Sequence, residues 1–207
     1  MCNSDPVQSP DAAPAPASGT RDRILDVALE VLGERPTAGM GDIAAAAGVV
    51  RRTVYGHFPS RDELVETIAQ RAADELHSVL LEVTTSGTRA DAAWVEYVAR
   101  LWPLAHRYRI LLVLRRSEHS DLIHARLEPV EQLLTDLIRR GQDDGAFGRH
   151  LPAAALAQLV QSIVFTLSDE RAEQATGTTA AITSLLTLGV PEADARALAA
   201  GVLGTDG

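Results

Sequence analysis

The feature that most constrains the fold is a pair of short helical patterns joined by one glycine between residues 40 and 58. In the first, Ile43 and Ala47 share an apolar face, and the pattern stops at Gly48, a residue suited to a left-handed helix C-cap. In the second, Val54 and Phe58 are four residues apart and would face inward, while the residues that would face out are Arg51, Arg52, Tyr55 and Gly56. Two short helices with a glycine turn predict a helix-turn-helix.

Further helical patterns lie on both sides of this pair. Apolar residues recur at helical spacing from Thr20, which can cap the start, to about Gly33. After the pair, Ser60 and Glu63 have the spacing of a capping box, and an apolar face then continues to about Val83. The second of these helices is long enough to join two domains.

The rest of the chain also favours helices over strands. Hydrophobic residues make up 46% of the sequence and are mostly Ala, Leu and Val, with no alternating strand pattern. Periodicity predicts helices over 89–102, 104–116, 121–140, 152–175 and 178–203. Pro129 is expected to kink the third of these or to mark its start, and Gly189-Val190-Pro191 is expected to break the last. The expected fold is therefore all-α.

Composition excludes several classes of protein. Cys2 is the only cysteine, which excludes an internal disulfide framework and a zinc ribbon. No run of about 18 apolar residues could span a bilayer, so we expect no membrane contact and a cytoplasmic location. Residues 1–19, rich in Pro, Ala and Ser, are expected to be a disordered leader.

A locally positive segment contrasts with the formal net charge of -9. No acidic residue lies between Asp42 and Asp62, and salt screens charges farther away than about 8–10 Å. Arginine on a recognition helix can read guanine or hold phosphate, hydroxyl and imidazole groups can donate to phosphate, and glycine permits close approach to the backbone. The residues that offer this chemistry are Arg51, Arg52, Thr53, Tyr55, Gly56, His57 and Arg61. A solvated surface helix is the alternative for so short a string, but its setting between two helices favours DNA binding.

The run DIAAAAGVVRRTVYGHFPSRDEL resembles the N-terminal signature of the TetR family of bacterial transcriptional regulators. That signature has an Ile-Ala pair, then Ala-Gly-Val, then a Thr-x-Tyr-x-His-Phe block, and the resemblance covers about residues 20–65. It implies a three-helix helix-turn-helix DNA-binding domain at 20–66 and a helical ligand-binding and dimerisation domain at 67–207.

The same resemblance assigns roles to the residues of the positive segment. Thr53, Tyr55 and His57 fall on positions that commonly contact the DNA backbone, and Arg61 stands where a lysine is usual. The outward positions that would give sequence preference are Arg51, Arg52 and Gly56.

Two positions depart from the family pattern. Val50 and Gly39 stand where hydroxyl residues usually cap the recognition helix and the helix before it. Loss of a side-chain cap costs about 0.5–2 kcal/mol, although glycine costs only a few tenths. The recognition helix is therefore expected to fray until DNA orders it.

The larger helical part carries a candidate dimer stripe and a candidate effector site. The resemblance implies that the last helices dimerise, and the expected stripe is Leu156, Leu159, Val160, Ile163, Val164, Leu167, Leu185 and Leu186, with packing inside one subunit as the alternative for part of each helix. Large aromatic residues with polar tips gather in one stretch, a mixture typical of a ligand pocket and also of a core. The expected effector site is Trp94, Tyr97, Trp102, His106 and Tyr108, joined by Phe165.

A metal site and a catalytic site are not expected. Glu118, His119, Asp121 and His124 are close in sequence, but the two histidines are five residues apart and do not share a helical face. The sequence has no phosphate-binding glycine loop, no Gly-x-Ser-x-Gly elbow and no His-Glu-x-x-His motif. We expect no cofactor and no enzymatic activity, unless distant residues assemble a site in space.

Together these observations predict a homodimeric DNA-binding regulator. We expect a repressor released from a near-palindromic operator by a small apolar or amphipathic molecule. Two alternatives stay open: a helical dimer that binds a small molecule or protein with a helix-turn-helix too poorly capped to read DNA, and an enzyme in the C-terminal domain. Salt-dependent binding to a defined DNA site separates the first from both others.

Overall fold

The structure, a computed structural model, describes residues 19–114, 119–168 and 175–203. These residues form helices and no strands, as the sequence predicted. The helices are α1 (Thr20–Glu34), α2 (Met40–Ala46), α3 (Arg51–His57), α4 (Arg61–Thr85), α5 (Ala90–Arg107), α6 (Ile110–Leu114), α7 (Ser120–Asp143), α8 (Ala153–Leu167), α9 (Gly177–Thr187) and α10 (Glu192–Leu203). The expected leader, apart from Gly19, lies outside the described residues, as do Cys2 and Glu118.

The predicted helix-turn-helix is present, formed by α2 and α3. Gly48 adopts a positive φ of 65°, which favours glycine, and reverses the chain after α2. The Val49 N–H then donates to the Ala44 carbonyl at 3.0 Å, which closes the end of α2. Val54 and Phe58 are fully buried where α3 packs on α1 and α2, so they fix which face of α3 points outward.

The helix starts in this domain are capped unequally. Ser60 accepts a hydrogen bond from the Glu63 N–H at 3.1 Å, one half of the predicted capping box. At α2 the Asp42 carboxylate accepts from the Gly39 N–H at 2.8 Å, a compensation that the sequence reasoning missed. At α3 Val50 provides no side-chain cap, as expected.

The long helix α4 belongs to both parts of the molecule. Near its start, Leu64, Val65 and Ile68 are buried beside α1. Farther along, Leu76 and Leu80 are buried where α4 packs on α5 and α7. Because one continuous apolar core runs along α4, a shift of this helix would displace core side chains in both domains.

The helix boundaries beyond α4 differ from the periodicity prediction in two places. The predicted helix over 104–116 is wrong, because α5 continues through Pro103 to Arg107 and only the short α6 follows. The buried positions Leu101, Ala105 and Tyr108 continue the inner face of α5 past the exposed proline, so packing sustains the last turn.

Proline behaves differently in the later helices. Pro129 lies inside α7 on an exposed position and does not begin the helix. The predicted break at residues 189–191 is present, since α9 ends at Thr187 and α10 begins at Glu192. The helix predicted over 152–175 ends at Leu167. Among the described residues, no helix combines the length and the apolar character that crossing a membrane requires.

Candidate DNA-binding surface and C-terminal domain

The outward face of α3 carries most of the predicted DNA-binding residues. Arg51, Arg52 and Gly56 are exposed, and the Tyr55 side chain is 49% exposed. Thr53 and His57 are half-buried at the edges of the same face, and no acidic residue lies on this helix. The structure therefore brings six of the seven predicted residues together on one helix.

The two arginines of α3 are placed differently. A Cβ atom added to Gly41 in α2 would lie only 2.7 Å from the Arg51 Cζ, so the Arg51 guanidinium lies against the backbone of α2. No pattern in the sequence predicts this contact, although a glycine inside a helix often has a packing reason. Arg52 is exposed and makes no ion pair with another described residue.

The seventh predicted residue, Arg61, is engaged within the domain. Its Nη2 donates to the Pro36 carbonyl at 2.6 Å and its Nη1 donates to the Ala38 carbonyl. Arg61 is half-buried between the α1–α2 loop and the first turn of α4. The sequence analysis counted Arg61 among the DNA-binding residues, whereas the structure places its guanidinium on two protein carbonyls.

Polar contacts join the first turns of α4 to α7. The Asp62 carboxylate lies 2.9 Å from Nε2 of His119, a buried residue that precedes α7, and Arg126 of α7 forms an ion pair with Glu66. No sequence pattern pairs residues 57 or 60 positions apart, and the sequence reasoning missed both contacts. They link the segment next to the recognition helix with the larger domain.

A second set of polar contacts holds α4 to the end of α5. The Tyr108 hydroxyl donates to Glu75 Oε1 at 2.9 Å, and Arg107 lies 3.4 Å from the other oxygen of that carboxylate. Burial, followed by the hydrogen bond with Glu75, raises the pKa of Tyr108 to about 12. The hydroxyl therefore stays protonated and remains a donor over the physiological pH range.

The predicted effector residues are mostly core residues. Trp94, Tyr97 and Tyr108 are at most 1% exposed, Phe165 is 8% exposed, Trp102 is half-buried and His106 is exposed. Trp94 donates through Nε1 to Ser184 Oγ at 2.8 Å, and its ring centroid lies 5.6 Å from that of Tyr97. These rings pack as part of the apolar core in this conformation.

One atom in this cluster lacks a partner. The Tyr97 hydroxyl is buried and makes no hydrogen bond with any described residue. Burial raises the pKa of this phenol, so it stays neutral. An unsatisfied buried hydroxyl costs about 1–3 kcal/mol, which makes Tyr97 the polar group in this cluster that a ligand could satisfy.

The open cavities in the described part of the molecule include three of about 460, 550 and 560 Å³, and none of these three is lined by the six predicted effector residues. The first lies between α7 and α8, the second between α1 and α4, and the third beside α10. Because Trp94 and Tyr97 are fully buried, a ligand could contact these two rings only if core side chains moved.

The predicted dimer stripe divides into a buried half and an accessible half. Leu156, Val160, Val164 and Leu185 are fully buried within one subunit, which corrects their assignment to an outer face. Leu159 and Leu186 are 45% and 43% exposed, and Ile163 and Leu167 are half-buried. Because an α-helix has several faces, consecutive apolar residues cannot all meet the same partner.

The accessible half lies on two helices without charge. Neither α8 nor α9 contains a charged residue, and the polar residues between their exposed leucines are Ser, Thr and Gln. Removal of such a surface from water carries no cost of burying an unpaired charge.

The histidines near the start of α7 have separate partners. His119 contacts Asp62, whereas Nδ1 of His124 lies 2.8 Å from the Ser120 carbonyl. Within the described ranges, no group of three or more His, Cys, Asp or Glu side chains could hold a metal ion.

Comparisons with known proteins agree with this architecture. Residues 24–68 match the family model described as bacterial regulatory proteins, tetR family. The transcriptional repressor LfrR of Mycolicibacterium smegmatis is 40% identical over 85 residues, which cover 39% of this chain and 45% of LfrR. TtgW of Pseudomonas putida, an uncharacterised HTH-type transcriptional regulator, is 30% identical over 132 residues, which cover 60% of this chain and 96% of TtgW.

Solved structures share the fold at lower sequence identity. The fatty acid degradation regulator FadR from Bacillus halodurans aligns with a TM-score of 0.69 and 21% identity over 84% of this chain and 97% of FadR. LfrR from Mycobacterium smegmatis in complex with proflavine aligns with a TM-score of 0.60 and 24% identity over 91% of this chain and 97% of LfrR. The likeness extends through both helical parts of the molecule.

Proposed function

We propose, from the premise that this chain belongs to the TetR family of bacterial regulatory proteins, that it is a homodimeric transcriptional repressor. It would bind a near-palindromic operator and release it when a small apolar or amphipathic molecule binds the C-terminal domain. The observation that carries the proposal is the outward face of α3, which is cationic, free of acidic residues and anchored by fully buried Val54 and Phe58.

The DNA-binding role falls to the residues on α3. Arg51, Arg52 and Gly56 would lie in the major groove, and Thr53, Tyr55 and His57 would donate to phosphates. A helix of seven residues covers few base pairs and would bind weakly alone. Two copies in one dimer can reach successive major grooves about 34–36 Å apart.

The dimer interface is proposed on the accessible half of the stripe, Leu159, Ile163, Leu167 and Leu186. An exposed apolar surface without charge is typical of a surface that a partner covers. A regulator of this kind would act in the cytoplasm, where the chromosome lies.

The effector site is proposed within the C-terminal core near Tyr97. The unpartnered hydroxyl supports a ligand with a hydrogen-bonding group on an otherwise apolar body, which would displace the packed rings of Trp94, Trp102, Tyr108 and Phe165. The solved structure of LfrR in complex with proflavine supports small-molecule binding by a protein of this fold. His106, which is exposed, would lie at the mouth of such a site.

Ligand and DNA would act on one equilibrium. An effector that favours a conformation with wrongly spaced recognition helices lowers operator affinity, and DNA lowers effector affinity by the same factor. The segment able to carry this coupling is α4, which contacts α1 on one side and α5 and α7 on the other.

The test is fluorescence anisotropy of the purified protein on DNA flanking its own gene, followed by genome-wide site selection, at several salt concentrations. We expect saturable binding that weakens with salt and is markedly weaker in Tyr55→Ala and Arg51→Ala. Arg196→Ala is the matched control, because Arg196 is equally charged but lies on α10 and pairs with Glu192. Absence of binding to any selected DNA would contradict the proposal and favour a helical dimer with another partner.

A second arm tests the effector. Addition of compounds from a broad panel to the protein–DNA complex should identify molecules that reduce anisotropy without being chemically changed. Operator affinity that no compound alters would leave DNA binding intact but contradict effector-dependent release. Conversion of a bound compound would favour the enzyme alternative.

A further inference from the structure

We infer that Arg61 is a positioning residue for the recognition helix: its guanidinium clamps the α1–α2 loop to the first residue of α4 and does not serve as a phosphate contact. The inference rests on the proposed DNA binding and concerns how the DNA-binding surface is held in place.

The geometry of the clamp matches the shape of a guanidinium. Nη2 of Arg61 donates to the Pro36 carbonyl at 2.6 Å, and Nη1 donates to the Ala38 carbonyl. The two acceptors are two residues apart on one loop, and Ala38 is only 5% exposed. A planar fork can meet two carbonyls at once, whereas the ammonium group of lysine is a compact point charge.

The clamp joins the two chain segments that flank the helix-turn-helix. Its two ends, residues 36–38 and residue 61, bracket α2, the Gly48 turn and α3. α2 also supports Arg51, whose guanidinium lies on Gly41. A shift of the α1–α2 loop would therefore move α2 and displace a side chain of the DNA-binding face.

The positive charge of Arg61 is suited to holding the two loop carbonyls and does not stabilise α4. Arg61 is the first residue of α4, where the positive end of the helix dipole disfavours a cation. The two carbonyl oxygens offset that repulsion, because charge-assisted hydrogen bonds are stronger than neutral ones. With two guanidinium nitrogens already occupied and the residue half-buried, the group faces protein and not the outward surface of α3.

The experiment compares Arg61→Lys and Arg61→Gln with the wild-type protein by operator anisotropy over a series of salt concentrations. Arg61→Lys keeps the positive charge and removes the fork. If Arg61 is a clamp, both variants lose about tenfold in operator affinity, the scale of a lost hydrogen bond to a charged group. The slope of log affinity against log salt should stay at the wild-type value in both.

Arg52 provides the matched control on α3. Arg52→Gln removes a cation from the DNA-binding face and should reduce the salt slope by up to about 0.9, the value for one neutralised phosphate, whereas Arg52→Lys keeps the charge and should keep the slope. A different pattern would overturn the inference. If Arg61→Gln reduces the salt slope and Arg61→Lys keeps full affinity, Arg61 is a phosphate contact. Unchanged affinity in both Arg61 variants would overturn it as well.

Amide hydrogen exchange without DNA gives a second readout. Both Arg61 variants should exchange faster over residues 36–48 than the wild-type protein, and circular dichroism should show that they remain folded. Equal amide exchange rates over residues 36–48 in the variants and the wild-type protein would overturn the inference. If the wild-type protein binds no DNA, the proposed function fails, and the exchange comparison still decides on the clamp. If Arg61→Gln does not fold, Arg61→Lys carries both readouts.

Discussion

The helices α3 and α5 both concentrate large side chains with polar tips, yet the structure uses them in opposite ways. On α3, Tyr55 and Arg52 point outward, because only Val54 and the following Phe58 pack inward. On α5, Trp94 and Tyr97 are fully buried, because α4, α7, α8, α9 and α10 surround the helix. The comparison teaches that aromatic residues at helical spacing indicate a surface only when few neighbours are available to cover the helix.

The largest expected effect on stability comes from truncation of a buried side chain on α5. Trp94→Ala should lower the free energy of unfolding by about 3–5 kcal/mol, the range for a buried tryptophan, and it also leaves Ser184 without its donor. Urea denaturation measures this change. Trp102→Ala, at a half-buried position, should cost less. A loss below about 1 kcal/mol at Trp94 would mean that the ring lines an open pocket and is not part of the core.

Truncation of an exposed side chain on α3 should affect DNA binding and leave stability nearly unchanged. Tyr55→Ala should change the free energy of unfolding by no more than about 0.5 kcal/mol, as at other exposed positions. It should weaken operator binding by about 1.5–3 kcal/mol, the range for a hydrogen bond to a charged group. Anisotropy and urea denaturation on the same preparation separate these effects. Tyr55→Phe keeps the ring, so full affinity in that variant would show that the hydroxyl is not the contact.

A missing cap can be restored on α3. Val50→Ser should stabilise the helix by about 0.5–2 kcal/mol, because the hydroxyl can accept a backbone N–H of the first turn. Val50 is 69% exposed, so little apolar burial is lost. Thermal unfolding measures the gain, and Val50→Ala, which supplies no cap, should not show it. Equal stability of the Ser and Ala variants would show that α3 does not need a side-chain cap.

The smallest expected effect concerns the unpartnered hydroxyl in the buried region. Tyr97→Phe removes that group and should raise the free energy of unfolding by about 1 kcal/mol, the lower end of the cost of an unsatisfied buried hydroxyl. The ring and its contact with Trp94 remain. Calorimetry measures the change, and effector titration of the same variant should show weaker binding if the ligand uses this hydroxyl. A clear loss of stability would show that the hydroxyl has a partner in the folded protein.

Much of the N-terminal domain could be predicted because its signals are local. Gly48 marked the turn, Ser60 marked the start of α4, and the four-residue spacing of Val54 and Phe58 fixed the outward face of α3. The absence of a side-chain cap at Val50 was also predicted correctly. Each of these features depends on residues within one or two helical turns of each other.

The role of Arg61 could not be predicted, because its acceptors are backbone carbonyls of Pro36 and Ala38. Any residue offers such a carbonyl, so the sequence carries no signal for this pairing. Likewise, the helix periodicity around Pro103 could not show that burial of Ala105 and Tyr108 would extend α5 by another turn.

The sequence by itself determined that the chain is helical, where the helix-turn-helix lies and which side of α3 faces outward. Those properties follow from propensity, spacing and turn chemistry, which act between near neighbours. Only the tertiary structure decided that Trp94 donates to Ser184, ninety positions away, and that half of the apolar stripe on α8 and α9 is used inside one subunit. Periodicity tells which face of a helix is apolar, but the neighbour that covers that face is chosen by packing among helices distant in sequence.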